Sequence, residues 1–151
     1  MIEIRRLPGD HPAARELLAA MEAWIGDHLG PTTPEQTSTV RAEEMAPPDG
    51  VFVLLEDEGR VVAGGGVRRL EGSVGEVKRM FVLEEARGRG HARRLLEALE
   101  DAARDLGYQR LRLDTAPSMT TAMGLYRRAG YREIPDYNGN SYASFWGEKE
   151  L

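Results

Sequence analysis

Apolar and polar residues divide this chain into alternating stretches and one strongly amphipathic run. Ile2, Ile4 and Leu7 alternate with charged residues, which predicts a first strand. Pro8-Gly9-Asp10 ends it, and Leu17, Leu18, Met21 and Ile25 then recur at helical steps. They predict a helix beginning at Asp10 or just after it. Residues 26–50 carry less pattern. Gly30-Pro31-Thr32-Thr33-Pro34 and Pro47-Pro48-Asp49-Gly50 interrupt them, with a short helix expected from Glu35 to Met45. Val51 to Glu56 predicts an apolar strand, Asp57-Glu58-Gly59-Arg60 a hairpin turn, and Val61 to Leu70 the returning strand. Gly64-Gly65-Gly66 lies inside that second strand and predicts a bend, a bulge or a close backbone approach.

The second half is organised around Glu76 to Leu96. Glu76 to Val82 alternates like a half-buried strand, and a basic turn, Arg87-Gly88-Arg89-Gly90, leads into the amphipathic run. Ala92, Leu95, Leu96, Leu99, Ala102, Ala103 and Leu106 form one apolar stripe, and Gly107 supplies the stop. Arg110 to Thr115 predicts a strand. Met119 to Ala129 predicts a helix with Ala122, Leu125, Tyr126 and Ala129 on one face, closed by Gly130. Tyr131 to Ile134 and Tyr142 to Trp146 are expected strands, with Asn138-Gly139 as a turn between them. The order fits one α/β domain over residues 1–151, with a single mixed, mostly antiparallel sheet flanked by helices. A doubly wound dinucleotide fold is excluded, because the first helix lacks a glycine fingerprint and Arg93 stands where the last glycine of Gly88-Arg89-Gly90 would require one.

A strand that passes through a small-residue turn into a helix has a chemical consequence. The first helical N–H groups lack intrahelical partners, and the helix dipole adds positive potential there. Gly88 and Gly90 permit a positive φ or a close approach, so that these groups can converge on an anion, while Arg87 and Arg89 add charge. The physics supports a phosphate or pyrophosphate pocket. A solvated turn with exposed arginines remains the other reading at this point.

Composition narrows the chemistry further. With 151 residues and no cysteine, the chain has room for one core and lacks disulfides, cysteine nucleophiles and thiolate metal sites. The three histidines His11, His28 and His91 show no metal-ligand spacing, so no metal site is expected. A formal net charge of -5 speaks against nonspecific nucleic-acid binding, yet leaves room for a locally basic anion site. No run reaches membrane-spanning length and the start alternates instead of reading as a leader, so a soluble cytoplasmic protein is expected.

With these elements in place, the chain resembles the GCN5-related N-acetyltransferase (GNAT) superfamily over nearly its whole length. The family's acyl-CoA motif is Gln or Arg, two residues, Gly, one residue, then Gly or Ala, and Arg87, Gly90 and Ala92 match it in register. Leu125-Tyr126-Arg127-Arg128-Ala129-Gly130-Tyr131 is similar to the family's later helix and the strand after it. Two positions depart from the pattern: Met119 replaces a common asparagine, and the usual proline after the central strand is absent near Glu84.

The resemblance implies an acyl-CoA N-acyltransferase fold and acetyl-CoA as cosubstrate. It implies that Arg87, Gly88, Arg89, Gly90, His91 and Ala92 hold the pyrophosphate, and that Phe81 and Val82 pair with the pantetheine arm. His91 is then a phosphate-side or surface residue. The implied reaction is direct attack of an amine on the thioester, with Glu76 as base and Tyr126 as the acid that protonates the leaving sulfur. The alternative for Glu76 is an ion pair with Lys78 or Arg79 or a solvent-facing position near the strand start, and for Tyr126 a packing role. A small primary amine is the expected acceptor. A protein N-terminus or lysine, and a CoA-responsive binding module with little turnover, are the alternatives. Residues 26–50 are expected to cover the acceptor site, and the resemblance is compatible with a homodimer.

Overall fold

The computed structural model describes residues 1–30, 40–115 and 120–151. Its elements are β1 (Ile2–Leu7), α1 (Pro12–Leu29), a 3-10 helix at Ala42–Met45, β2 (Val51–Asp57), β3 (Arg60–Glu71) and β4 (Val74–Val82). A 3-10 helix at Glu84–Ala86, α2 (His91–Asp105), β5 (Arg110–Thr115), α3 (Thr120–Arg128), β6 (Arg132–Glu133) and β7 (Phe145–Glu150) follow. The strands form one sheet in the order β1-β2-β3-β4-β5-β7-β6. Among the described residues only β4 and β5 run parallel, with α2 as their crossover. The mixed, mostly antiparallel sheet expected from the sequence is the one observed.

Each face of the sheet carries its own apolar cluster. Leu95, Leu99, Ala102 and Ala103 of α2 and Tyr126 of α3 pack with Val53, Val67, Val77, Leu111 and Leu113 on one face. Leu17 of α1 and Met45 pack with Phe52, Leu54 and Phe81 on the other. Val77 and Phe81 are four residues apart on one strand and should share a face. They do not, because β4 carries a bulge. Arg79 sits at φ 56°, and the β3–β4 register shifts between Gly64 and Gly66. The extra residue reverses the side-chain alternation beyond it.

The triple glycine serves close approach. A Cβ at Gly64 would meet Leu17 Cδ2 at 2.3 Å, and one at Gly66 would meet Met45 Sδ at 2.2 Å. Side chains on β3 would therefore lift α1 and the Ala42–Met45 helix off the sheet.

Several boundaries differ from the expectation. His11 caps α1, its Nδ1 accepting from the Ala13 N–H at 3.1 Å. Helix α1 also runs on to Leu29, since no proline meets it before Pro31. Of the helix expected from Glu35 to Met45, only Ala42–Met45 forms, as a 3-10 helix, and residues 35–39 lie outside the described residues. The final strand begins at Phe145 and not at Tyr142. The Asp136 carboxylate accepts from the N–H groups of Asn138 and Gly139, the Asn138 amide oxygen from that of Asn140, and the Asn140 amide oxygen from that of Tyr142. Local side-chain acceptors thus take the donors a ladder would need. The strand expected over Tyr131 to Ile134 is reduced to Arg132–Glu133.

Candidate functional site

The site begins where two neighbouring strands part. Pairing between β4 and β5 is confined to Val74, Gly75 and Glu76 opposite Arg110, Leu111 and Arg112. Beyond Glu76 the bulged half of β4 turns away, and Val77–Val82 has no ladder to β5. The result is a gap through the sheet. The edge of β4 lining it can pair with an extended amide chain, as an exposed strand edge does.

At the end of that edge stands the basic turn. Gly88 and Gly90 have φ 80° and 81°, the left-handed conformation that glycine adopts without penalty. Gly90 is the N-cap of α2, and among the described residues no side chain caps that first turn. Its N–H groups are therefore oriented for an anion. Among the described residues a Cβ at Gly88 would meet nothing within 4 Å, so the turn is open at that point. Arg87 does not extend into that space. Its guanidinium lies 4.5 Å from the Trp24 ring centroid and 5.5 Å from that of Phe81, and its Nε donates to the Val82 carbonyl at 3.1 Å. Arg87 thereby ties α1 to the end of β4. The Arg89 carbonyl accepts from Arg94 Nη1 at 2.8 Å.

His91 requires a correction. A surface histidine was one expectation, but the residue is 3% exposed. It occupies the first position of the buried stripe that continues through Leu95, Ala98 and Ala102, while Ala92 is only partly covered. Its Nε2 lies 3.8 Å from an Asp57 carboxylate oxygen. What His91 offers an anion at the turn is its backbone N–H.

On the α1 side of the gap the sheet is polar. The Glu76 carboxylate is fully enclosed: Arg68 Nε and Nη2 each approach Oε1 at 2.8 Å, and the Tyr137 hydroxyl donates to Oε2 at 2.6 Å. Lys78 Nζ and Asn138 Nδ2 lie 3.4 Å from the same Oε2. Glu76 thus pairs with Arg68 and Lys78. Across the gap, Asp114 on β5 accepts from Asn138 Nδ2 at 2.6 Å and Asn140 Nδ2 at 3.2 Å, and Lys78 Nζ reaches both its oxygens at 3.4 Å. Trp146 Nε1 donates to the Asn138 amide oxygen at 3.0 Å, orienting that amide. Burial, followed by the nearby Glu76 charge, holds the Tyr137 phenol above its ordinary value.

Tyr126 enters from the opposite face, on α3. It is 6% exposed, packs edge-on against Tyr131, and directs its hydroxyl at the Met80 sulfur, 3.7 Å away across the gap. Burial, followed by the Asp114 charge, pushes its phenol up to about 12. The phenol is therefore a neutral proton donor near pH 7.

Sequence reasoning placed Glu76, Phe81, Val82, the turn from Arg87 to Ala92, and Tyr126 on the strands and helix ends where the structure has them. The structure brings Glu76 and Tyr126 to the same gap from its two faces. It leaves the Phe81 ring in the α1 core, 5% exposed, and the Val82 carbonyl with Arg87. Asp114, Tyr137, Asn138 and Asn140 were not singled out as site residues. Asp114 was legible as an acidic residue at the end of β5. The asparagines read as turn formers, and nothing local reveals that their loop folds back over β5. Met119 lies outside the described residues, as do residues 31–39 of the expected cover.

Residues 13–131 match the model of the acetyltransferase (GNAT) family. A protein named IAA acetyltransferase from Azospirillum brasilense is 38% identical over 142 residues, covering 92% of this chain and 91% of its own length. Among solved structures, an acetyltransferase of the GNAT family from Staphylococcus aureus Mu50 aligns with a TM-score of 0.79 at 19% identity, over 100% of this chain and 99% of its own. PaiA N-acetyltransferase from Thermoplasma acidophilum, in complex with coenzyme A, aligns with a TM-score of 0.73 at 17% identity, over 100% and 99%. The chain belongs to the GNAT family and is an acyltransferase. Among the described residues no helix is long and apolar enough to cross a membrane, and no group of three or more His, Asp or Glu could hold a metal ion.

Proposed function

We propose that the protein transfers the acetyl group of acetyl-CoA directly to a primary amine on a small molecule. The observation that carries this reading is the parting of β4 from β5 at Glu76, with an uncapped helix start at one end of the gap and the Tyr126 hydroxyl inside it. The turn suits a pyrophosphate, since a Cβ at Gly88 would meet nothing within 4 Å among the described residues and the start of α2 carries the positive end of the helix dipole. The free edge at Val77–Val82 suits the amides of a pantetheine arm, with the backbone at Phe81 and Val82 nearest the turn.

The polar floor on the α1 side supports a small acceptor. Its charged groups are nearly enclosed, with Glu76 at 0% and the side chains of Lys78 and Asp114 at 13% and 9% exposure. The loop bearing Tyr137, Asn138 and Asn140 lies against them. The amine must lose a proton before it can attack, and the carboxylates bridged by Lys78 supply the base side. Glu76, enclosed as it is, contributes through the groups it holds, Lys78 and Tyr137, and not by meeting the amine itself. Tyr126 supplies the proton that the sulfur takes as it leaves. Alignment of the two reactants contributes much of the acceleration.

The test is release of free thiol from acetyl-CoA with lysine, glucosamine, spermidine and kanamycin in turn, with acetylated product identified by mass. Release that depends on one of these amines is the expected result. Tight acetyl-CoA binding with no transfer to any of them, nor to a peptide, would favour a CoA-responsive binding module.

A further inference from the structure

Two carboxylates face the gap, and their surroundings give them different work. Both Glu76 oxygens are occupied, Oε1 by the Arg68 guanidinium and Oε2 by the Tyr137 hydroxyl. Its carboxylate is inaccessible to an incoming ligand. Asp114 is arranged otherwise. Oδ2 takes the Asn138 and Asn140 amides as well as Lys78, whereas Oδ1 has only the 3.4 Å approach of Lys78 among the described residues. A carboxylate offers about four acceptor positions over its two oxygens, so Oδ1 retains capacity for a short bond.

The position of Asp114 along the gap matters as much. The last paired rung joins Glu76 to Arg112, so Lys78 and Asp114 stand two residues beyond it on their respective strands. Met80, which receives the Tyr126 hydroxyl, is two residues further along β4. Asp114 therefore lies between the enclosed Glu76 and the Tyr126 hydroxyl, and with no ladder there its charge bears on Tyr126 from the other face. Lys78 places an ammonium against this carboxylate at a distance too long for a good hydrogen bond.

We propose that Asp114 is the residue that receives the acceptor's ammonium and takes its proton, with Lys78 as the counterion that the incoming ammonium displaces and Glu76 as a positioning residue. This rests on the amine-transfer reading above. The ammonium N–H bond breaks and its proton passes to Asp114 Oδ1. The freed nitrogen lone pair forms the C–N bond to the thioester carbon, and the C–S bond breaks with its electron pair left on sulfur. Tyr126 gives that sulfur its proton and regains one from the second N–H that the nitrogen loses. Asp114 then releases its proton to water. The charged and titratable groups around Asp114 are Lys78 and Glu76 from β4, Tyr126 from α3, and Tyr137 from the loop before β7. Asn138 and Asn140 fix the carboxylate without adding charge.

The experiment compares wild type with Asp114→Asn, Asp114→Glu and Glu76→Gln, using whichever of lysine, glucosamine, spermidine and kanamycin the wild type acetylates. Asp114→Asn should lower kcat/KM for the amine on the order of 100-fold near pH 7 while acetyl-CoA affinity by calorimetry stays unchanged. The loss should shrink as the pH nears the amine's own pKa, where neutral amine is already abundant. Asp114→Glu should recover part of the rate, and Glu76→Gln should lose less than Asp114→Asn with no such recovery at high pH. A folded Asp114→Asn enzyme with the wild-type rate and pH profile overturns the assignment while the amine-transfer reading stands. The pH-dependent loss appearing in Glu76→Gln instead also overturns it. Failure of the wild type to acetylate any amine overturns the transfer reading, and the role of Asp114 with it.

Discussion

The Tyr126 hydroxyl and the Met80 sulfur meet at 3.7 Å across the place where β4 and β5 have separated. Sulfur is a weak acceptor, so this donor has a soft partner that a leaving thiolate can outcompete. Tyr126→Phe keeps the ring against Tyr131 and removes the proton. It should slow the chemical step by about 10²–10⁴-fold in single-turnover kinetics, with little change in acetyl-CoA affinity. The phenol's elevation to about 12 means that the wild type should show no Tyr126 titration between pH 6 and pH 9. A wild-type single-turnover rate in the phenylalanine variant would make Tyr126 a packing residue.

Gly90 at φ 81° places its neighbours' N–H groups at the start of α2. Gly90→Glu adds a negative charge beside the anion site and a side chain to a left-handed residue. Calorimetric titration should show acetyl-CoA binding on the order of ten-fold weaker or more, since about 1.4 kcal/mol of repulsion is a factor of ten. Equal affinity in a variant that is folded by circular dichroism would move the pyrophosphate away from this turn.

Gly66 faces Met45 with no room for a Cβ, the sulfur standing 2.2 Å from where one would lie. Gly66→Ala should therefore cost about 1–3 kcal/mol of stability as Met45 and its 3-10 helix shift. Urea unfolding measures it, and an unchanged midpoint would show that this packing is looser than described.

Glu148 on β7 is 3% exposed. Burial acts to raise its carboxyl, but hydrogen bonds from Arg112 and Arg132 outweigh it and hold the group below the ordinary carboxylate range. A depressed native value stabilises the fold above the unfolded value and is lost as the pH falls through the native one. Stability should thus decline from about pH 4 downward. Glu148→Gln should be less stable at neutral pH and show a shallower acid loss in thermal melts across that range. A parallel acid loss in the two proteins would remove Glu148 from the account.

The elements that carry strong local patterns were legible in order. The α2 stripe, the glycine turn and the paired apolar strands each have a periodicity or a backbone requirement written in consecutive residues. What escaped depended on distant partners. His91 is buried because the α2 stripe extends one residue earlier than Ala92 suggested. Phe81 faces α1 only because the bulge at Arg79 reverses the strand, and no residue type at Arg79 announces a positive φ. The late start of β7 follows from asparagine and aspartate side chains taking backbone donors over Asp136 to Tyr142. The Asp114–Asn138 contact joins residues 24 apart through a loop whose path no periodicity encodes.

The account's central claim is acetyl transfer from acetyl-CoA to a small amine in the gap between β4 and β5. The most direct measurement is the rate of thiol release from acetyl-CoA with each amine of the panel, run beside the same assay on Tyr126→Phe. The predicted result is thiol release by the wild type that requires one of the amines, yields its acetylated form in equal amount, and falls at least about 100-fold in the variant. Thiol release that is independent of every amine, or that yields no acetylated amine, would contradict it, whereas an unchanged rate in Tyr126→Phe with product accumulating normally would remove only Tyr126 from the chemistry.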